Sequence, residues 1–179
     1  LETGKVFLID RAYSGNFSPD GKFLSTSSGV YDLKSGYHVT SIPIGIFSPD
    51  GKTLGTAGAD NMIRLWATTV EDGAPKAELR TEWKAHQNWV TSISFSPAGK
   101  LLASSSFDHK VKLWEAGEGK HYATVAKPGC TVWCVNFSRD GKTVYCGTSS
   151  KAQQLKSSSG AAAVTATNSR SSAGATSSN

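Results

Sequence analysis

Ser104, His86 and Asp108 bring together a hydroxyl, an imidazole and a carboxylate, the groups of a nucleophilic triad in which the base takes the hydroxyl proton and the acid orients the base. An enzyme reading would rest on them. Against it, Thr56, Asp60 and Trp66 repeat the mutual offsets of Ser104, Asp108 and Trp114, although no histidine accompanies them. A reaction needs its site once, whereas a device that fixes a fold recurs in successive copies, so the group reads as structural and the chain as non-catalytic. Cys130, Cys134 and Cys146, with His121 nearby, lack the spacing of a zinc site. Cys134 and Cys146 fall at apolar strand positions, which predicts buried structural thiols. His38 and His109 stand alone and are expected to face solvent. With neither a Gly-x-Gly-x-x-Gly run nor a P-loop, no cofactor and no metal is expected.

The elements that must position these residues come from an internal repeat. Phe-Ser-Pro-Asp-Gly-Lys occurs at Phe17–Lys22 and Phe47–Lys52, returns at Phe95–Lys100 with Ala98 for Asp, and again at Phe137–Lys142 with Arg139 for Pro. A β-rich run precedes the turn, as in Trp89–Phe95 and Thr131–Phe137, and an apolar run such as Lys100–Ser104 follows it. The pattern predicts strand, tight turn and strand four times over. In the second and third copies a further strand follows, because Met62–Trp66 and Val111–Trp114 alternate in part between apolar and polar residues.

The turn glycines Gly21, Gly51, Gly99 and Gly141 lie 30, 48 and 42 residues apart. Four short strands with their turns need about 40 residues, so the first interval predicts that chain is missing around 10–16, 28–30 and 42–46. Leu1 as the first residue and Met62 as the single methionine give the same expectation of something longer.

The whole chain has 179 residues, 38% of them hydrophobic, which is enough for one modest core. No apolar run approaches the roughly 18 residues that cross a bilayer, so no membrane partner is expected. Three cysteines without paired spacing argue against a disulfide scaffold and for a reducing compartment, cytoplasm or nucleus. Of the net charge of +5, three units come from Lys151, Lys156 and Arg170. Residues 151–179 hold 18 Ser, Ala or Thr among 29, a composition expected to form a disordered tail after repeats that occupy 1–150. The basic tail offers a route to nucleic acid, but no basic run tracks a phosphate backbone, so direct nucleic-acid binding is not the leading reading.

Together the four turns, the Ala85-His86 pair before the third copy, and Trp66 and Trp114 six residues after Asp60 and Asp108 resemble the WD-repeat family. Departures exist: Ala67 and Glu115 follow the two tryptophans, Tyr31-Asp32 takes the dipeptide's place in the first copy, and the fourth copy runs into the tail before a third strand. The resemblance implies an all-β propeller with about three and a half blades of a seven-bladed ring represented, the remainder lying outside this sequence. It implies that Asp108 holds His86, which reaches Ser104 and then Trp114, with Thr56, Asp60 and Trp66 as a partial counterpart. It also implies protein binding at one rim, through Trp89, Thr91, Phe107, Ala59, Thr131 and Trp133. The stretch from His86 to Trp133 is similar to the last two blades of the small WD-repeat subunits of the superkiller (Ski) and Paf complexes, which would imply an adaptor in RNA surveillance or transcription.

Overall fold

The computed structural model describes residues 15–36, 38–40, 42, 44–71, 74–149 and 163–167. Every described element is a strand. Each repeat turn is closed by an N–H to C=O bond across four residues, from Gly21 to Ser18, Gly51 to Ser48, Gly99 to Ser96 and Gly141 to Ser138, at 2.8–2.9 Å. The glycine follows at φ between 69° and 71° in all four, a left-handed geometry that a side chain would strain. The serine then fixes the exit, its Oγ accepting the N–H of Phe23, Thr53, Leu101 or Thr143.

These hairpins seed four sheets. β1 (Gly15–Phe17), β2 (Phe23–Thr26), β3 (Gly29–Asp32) and β4 (His38–Thr40) form the first. β5 (Gly45–Phe47), β6 (Thr53–Ala57), β7 (Met62–Glu71) and β8 (Ala74–Lys84) form the second. β9 (Val90–Phe95), β10 (Leu101–Ser106), β11 (Val111–Glu115) and β12 (His121–Ala126) form the third. β13 (Val132–Phe137), β14 (Thr143–Thr148) and β15 (Ala163–Thr167) form the fourth. The first three are antiparallel meanders.

Packing is face to face between successive sheets, giving three apolar layers. Val30, Ile42 and Leu54 lie between the first and second sheets. Ile63, Leu65, Val90, Leu102 and Trp114 lie between the second and third, and Val111, Leu113, Val132, Val135, Val144 and Cys146 between the third and fourth. The turns stack as well: a Cβ placed on Gly51, Gly99 or Gly141 would come 3.8, 3.8 or 3.5 Å from the ring of Pro19, Pro49 or Pro97 in the preceding turn. Arg139 replaces proline in the one turn on which no further described turn rests. This stack of sheets is the all-β, partial-propeller architecture that the repeats imply.

Two expectations meet a different structure. The 30-residue interval does not cost the first sheet a strand, because strands of three or four residues and a tight connection at Ser27-Ser28 fit all four between 15 and 40. Residues 10–14 and 43, where chain was expected to be missing, and most of the tail lie outside the described residues. The fourth copy does gain a third strand, from within the tail: β15 runs parallel to β14, with Ala163 opposite Thr143 and Thr167 opposite Gly147.

Candidate functional site

His86 sits just before β9, Ser104 in the middle of β10, Asp108 in the β10–β11 turn and Trp114 on β11. Antiparallel pairing of these strands sets them in one line. The Trp114 indole N–H donates to Ser104 Oγ at 2.8 Å, and Ser104 Oγ lies 2.7 Å from His86 Nε2. His86 Nδ1 lies 3.0 Å from both carboxylate oxygens of Asp108. The indole can only donate, so the serine hydroxyl passes its own hydrogen to Nε2, and Nδ1 carries the ring proton toward Asp108. That neutral tautomer satisfies every group. Burial pushes the His86 imidazole below its ordinary value despite the attraction of Asp108. On Asp108 burial works upward, but the Gln87 N–H and the bond from His86 outweigh it and hold the carboxyl low. Its turn is also closed by the Lys110 N–H at 3.1 Å.

The arrangement has the membership of a triad without its access. His86 and Ser104 are buried, and the hydroxyl is occupied on both sides by indole and imidazole. Three surface concavities of about 380, 390 and 440 Å³ are lined by other residues, none by His86, Ser104 or Asp108. No reacting atom could approach Ser104 Oγ without dismantling the line.

In the second sheet the Trp66 indole N–H donates to Thr56 Oγ1 at 3.0 Å. Asp60 finds a different partner: Arg64 bonds it through Nη1 at 2.5 Å and reaches Glu82 through Nε at 2.9 Å. Burial raises the Asp60 carboxyl, but the bond from Arg64, the Met62 N–H and the guanidinium charge together outweigh it and hold the carboxyl low. Lys112 is the counterpart of Arg64, four residues after Asp108. Its Nζ donates to the Ala85 carbonyl at 2.6 Å and lies 5.3 Å from the Trp114 ring centroid. Burial pushes this ammonium below its usual value. Arg64 and Lys112 were missed in the sequence, although a cation four residues after the turn aspartate in both copies was a readable signal.

At the same end of the sheets, three aromatics cluster across the third and fourth. Phe107 lies between Trp89, with ring centroids 5.7 Å apart, and Trp133, 5.1 Å away and edge-on. The two indoles remain 53% and 54% exposed while touching this shared neighbour, so they form one continuous apolar patch. Thr91 is brought to a different task, since its hydroxyl bonds Ser105 Oγ at 2.8 Å and donates to the Val132 carbonyl of the next sheet at 2.6 Å. It tethers sheets rather than offering a free rim group. Ala59 is exposed, next to Gly58, whose carbonyl accepts the Val90 N–H at 3.1 Å, and Thr131 is half-buried, its carbonyl accepting the Ser149 N–H.

Cys146 is buried as expected, and burial pushes its thiol up. Cys134 is exposed, contrary to the sequence reading, because a bulge between Val132 and Cys134 shifts the alternation and turns it to the open face. His38 is exposed but not isolated: Nε2 contacts the Ser28 carbonyl at 3.2 Å and the ring meets Tyr31 edge-on. His109 is exposed, at φ 65° in its turn. His121 packs against Trp114. Among the described residues no group of three His, Cys, Asp or Glu could hold a metal.

A family model described as WD domain, G-beta repeat matches residues 29–67, 77–115 and 119–153, together more than half of the chain. The second and third matches each begin in or beside the last strand of one sheet and continue through the next. No curated protein matches the chain.

Proposed function

The chain belongs to the WD-repeat family, and on that premise we propose that it is a non-catalytic adaptor that docks proteins of a larger complex on the Trp89–Phe107–Trp133 rim. Repeats of this family generally serve as protein-interaction scaffolds. One observation carries the reading here: three aromatics joined through Phe107, two of them half exposed, occupy the sheet end where the family resemblance places partner contacts. Clustered tryptophan supplies binding energy out of proportion to its area. The sealed Ser104–His86–Asp108 line supports structure over turnover.

The likeness of His86–Trp133 to the small subunits of the superkiller and Paf complexes supports a place in RNA surveillance or transcription, in cytoplasm or nucleus. The free Cys130, Cys134 and Cys146 accord with a reducing compartment. Trp89→Ala and Phe107→Ala should each weaken co-precipitation of those complexes' components at least tenfold while leaving the melting temperature in place. His86→Ala should lower the melting temperature instead. Rim variants that capture partners normally would refute the adaptor reading. An enzyme would be favoured by a His86→Ala chain that stays folded and loses a turnover; a role for the basic tail in nucleic-acid binding would need salt-dependent binding that deletion of 151–179 removes.

A further inference from the structure

The charges beside the aromatic rim distinguish the kind of segment it takes. The acids near this end are already engaged: Asp108 by His86 and the Gln87 and Lys110 N–H groups, Asp60 by Arg64 and the Met62 N–H, and Glu82 by Arg64. Lys112 is spent on the Ala85 carbonyl. Lys110 and Lys127 differ, since neither forms an ion pair among the described residues. Val111 and Ala126 are register partners in the antiparallel pair β11–β12. Lys110, which precedes the one, and Lys127, which follows the other, therefore leave the sheet side by side. Phe107 opens the same turn as Lys110, and Lys127 opens the loop that leads to Trp133.

An apolar patch flanked by Lys110 and Lys127, where the ammonium groups of Lys110, Lys112 and Lys127 outnumber the one hydrogen-bonded carboxylate of Asp108, complements an anion carried next to a large apolar side chain. Resting on the rim reading above, we propose that the rim binds an acidic peptide segment, with an apolar side chain seated on Trp89, Phe107 and Trp133 and flanking carboxylates answered by Lys110 and Lys127. The ring geometry disfavours single-stranded nucleic acid. Phe107 meets Trp133 at 86° and Trp89 at 47°, so the rings cover one another's edges and offer no parallel platforms for successive bases. Two ammonium groups also make no track along a phosphate backbone.

The probes are the capped pentapeptides Asp-Asp-Leu-Asp-Asp and Lys-Lys-Leu-Lys-Lys and an oligouridylate, titrated into the full chain with tryptophan fluorescence as readout. The acidic peptide should bind more tightly than the basic one, and salt should weaken it. Lys110→Gln and Lys127→Gln should each weaken it about three- to fivefold, as loss of one exposed ion pair does, with melting unchanged. Trp89→Ala should weaken it further. Failure of the acidic peptide to bind, parity with the basic peptide, or tighter binding of oligouridylate overturns the proposal. Loss of peptide binding in Trp89→Ala with indifference to both lysine substitutions overturns it too, but leaves the aromatic rim standing. Indifference to Trp89→Ala sinks both.

Discussion

Three of the four repeat turns share a bond that the third lacks, and restoring it is a direct test of how the turns work. Ser18, Ser48 and Ser138 donate their hydroxyls to Asp20, Asp50 and Asp140 Oδ1 at 2.7, 2.6 and 2.6 Å. The same oxygen accepts the N–H of Lys22, Lys52 or Lys142 at 3.1, 3.0 and 3.0 Å. In the third turn Ala98 leaves Ser96 without this acceptor, although Gly99 at φ 70° and the 3.0 Å Leu101 N–H to Ser96 Oγ bond keep the same backbone. Ala98→Asp should therefore add two bonds without rearrangement. Because the turn is exposed and water already serves the Lys100 N–H, the gain should be about 1 kcal/mol, the net worth of an ordinary protein hydrogen bond. For a domain of this size that is a rise in melting temperature of about 2–4 °C. The three natural carboxyls are held below their ordinary value, first by the serine hydroxyl and then by the backbone N–H. A carboxylate whose folded pKa is depressed stabilises above its unfolded value, near pH 4, and loses that contribution as pH falls through the folded value. Differential scanning calorimetry should show a smaller gain at pH 3 than at pH 7, and Ser96→Ala should cancel most of it. A gain undiminished at pH 3, or one that survives Ser96→Ala, would show that the bond is not its source.

His86→Ala strands Ser104 Oγ and one side of Asp108 in buried surroundings, so chemical denaturation should report a loss of about 3 kcal/mol. Because the His86 pKa is depressed in the fold, the unfolded chain takes up the proton first; stability should be complete above about pH 6.5 and decline below it, a slope absent from His86→Ala. Arg64→Ala should cost no more than about 1 kcal/mol, because the Arg64 and Asp60 side chains are 31% and 48% exposed. Gly119→Ala should destabilise by more than about 2 kcal/mol, measured in the same denaturation series: its Cβ would come 2.3 Å from the Trp83 ring, at a φ of 69°.

The hairpins were legible because turn chemistry is local. A proline, an acceptor carboxylate and a left-handed glycine within six residues leave little freedom to the strands on either side. Ser104, His86, Asp108 and Trp114 were legible for a related reason, since their offsets recur and antiparallel pairing makes offset into proximity. What escaped the sequence depends on register. The alternation that put Cys134 inside was sound until a bulge consumed one residue, and nothing in Thr-Val-Trp-Cys-Val marks where a strand will bulge. Strand length escaped likewise, because a three-residue strand such as β1 carries too little pattern to be told from loop. Thr91 was placed at the rim by its position after His86, but the position of the neighbouring sheet, which supplies the Val132 carbonyl, decides its role.

The second and third sheets show which part of the repeated device the fold depends on. Both keep the indole bonded to a hydroxyl on the adjacent strand, Trp66 to Thr56 and Trp114 to Ser104. Both keep the turn aspartate. Only the group between them changes: a buried imidazole in one, a half-buried guanidinium in the other. An unpartnered buried indole N–H costs stability, and the hydroxyl satisfies it in both Trp66 and Trp114. The aspartate must also be hydrogen-bonded, but any donor at the turn will serve, from inside as His86 does or from outside as Arg64 does. A histidine is thus required only where the hydroxyl proton needs an internal acceptor. Thr56 lies beside no imidazole, so its proton must go elsewhere, whereas Ser104, fully buried, has His86 Nε2 at 2.7 Å. The imidazole is present to receive a hydrogen bond that holds the sheets in register, which is the opposite use from drawing a proton off a nucleophile.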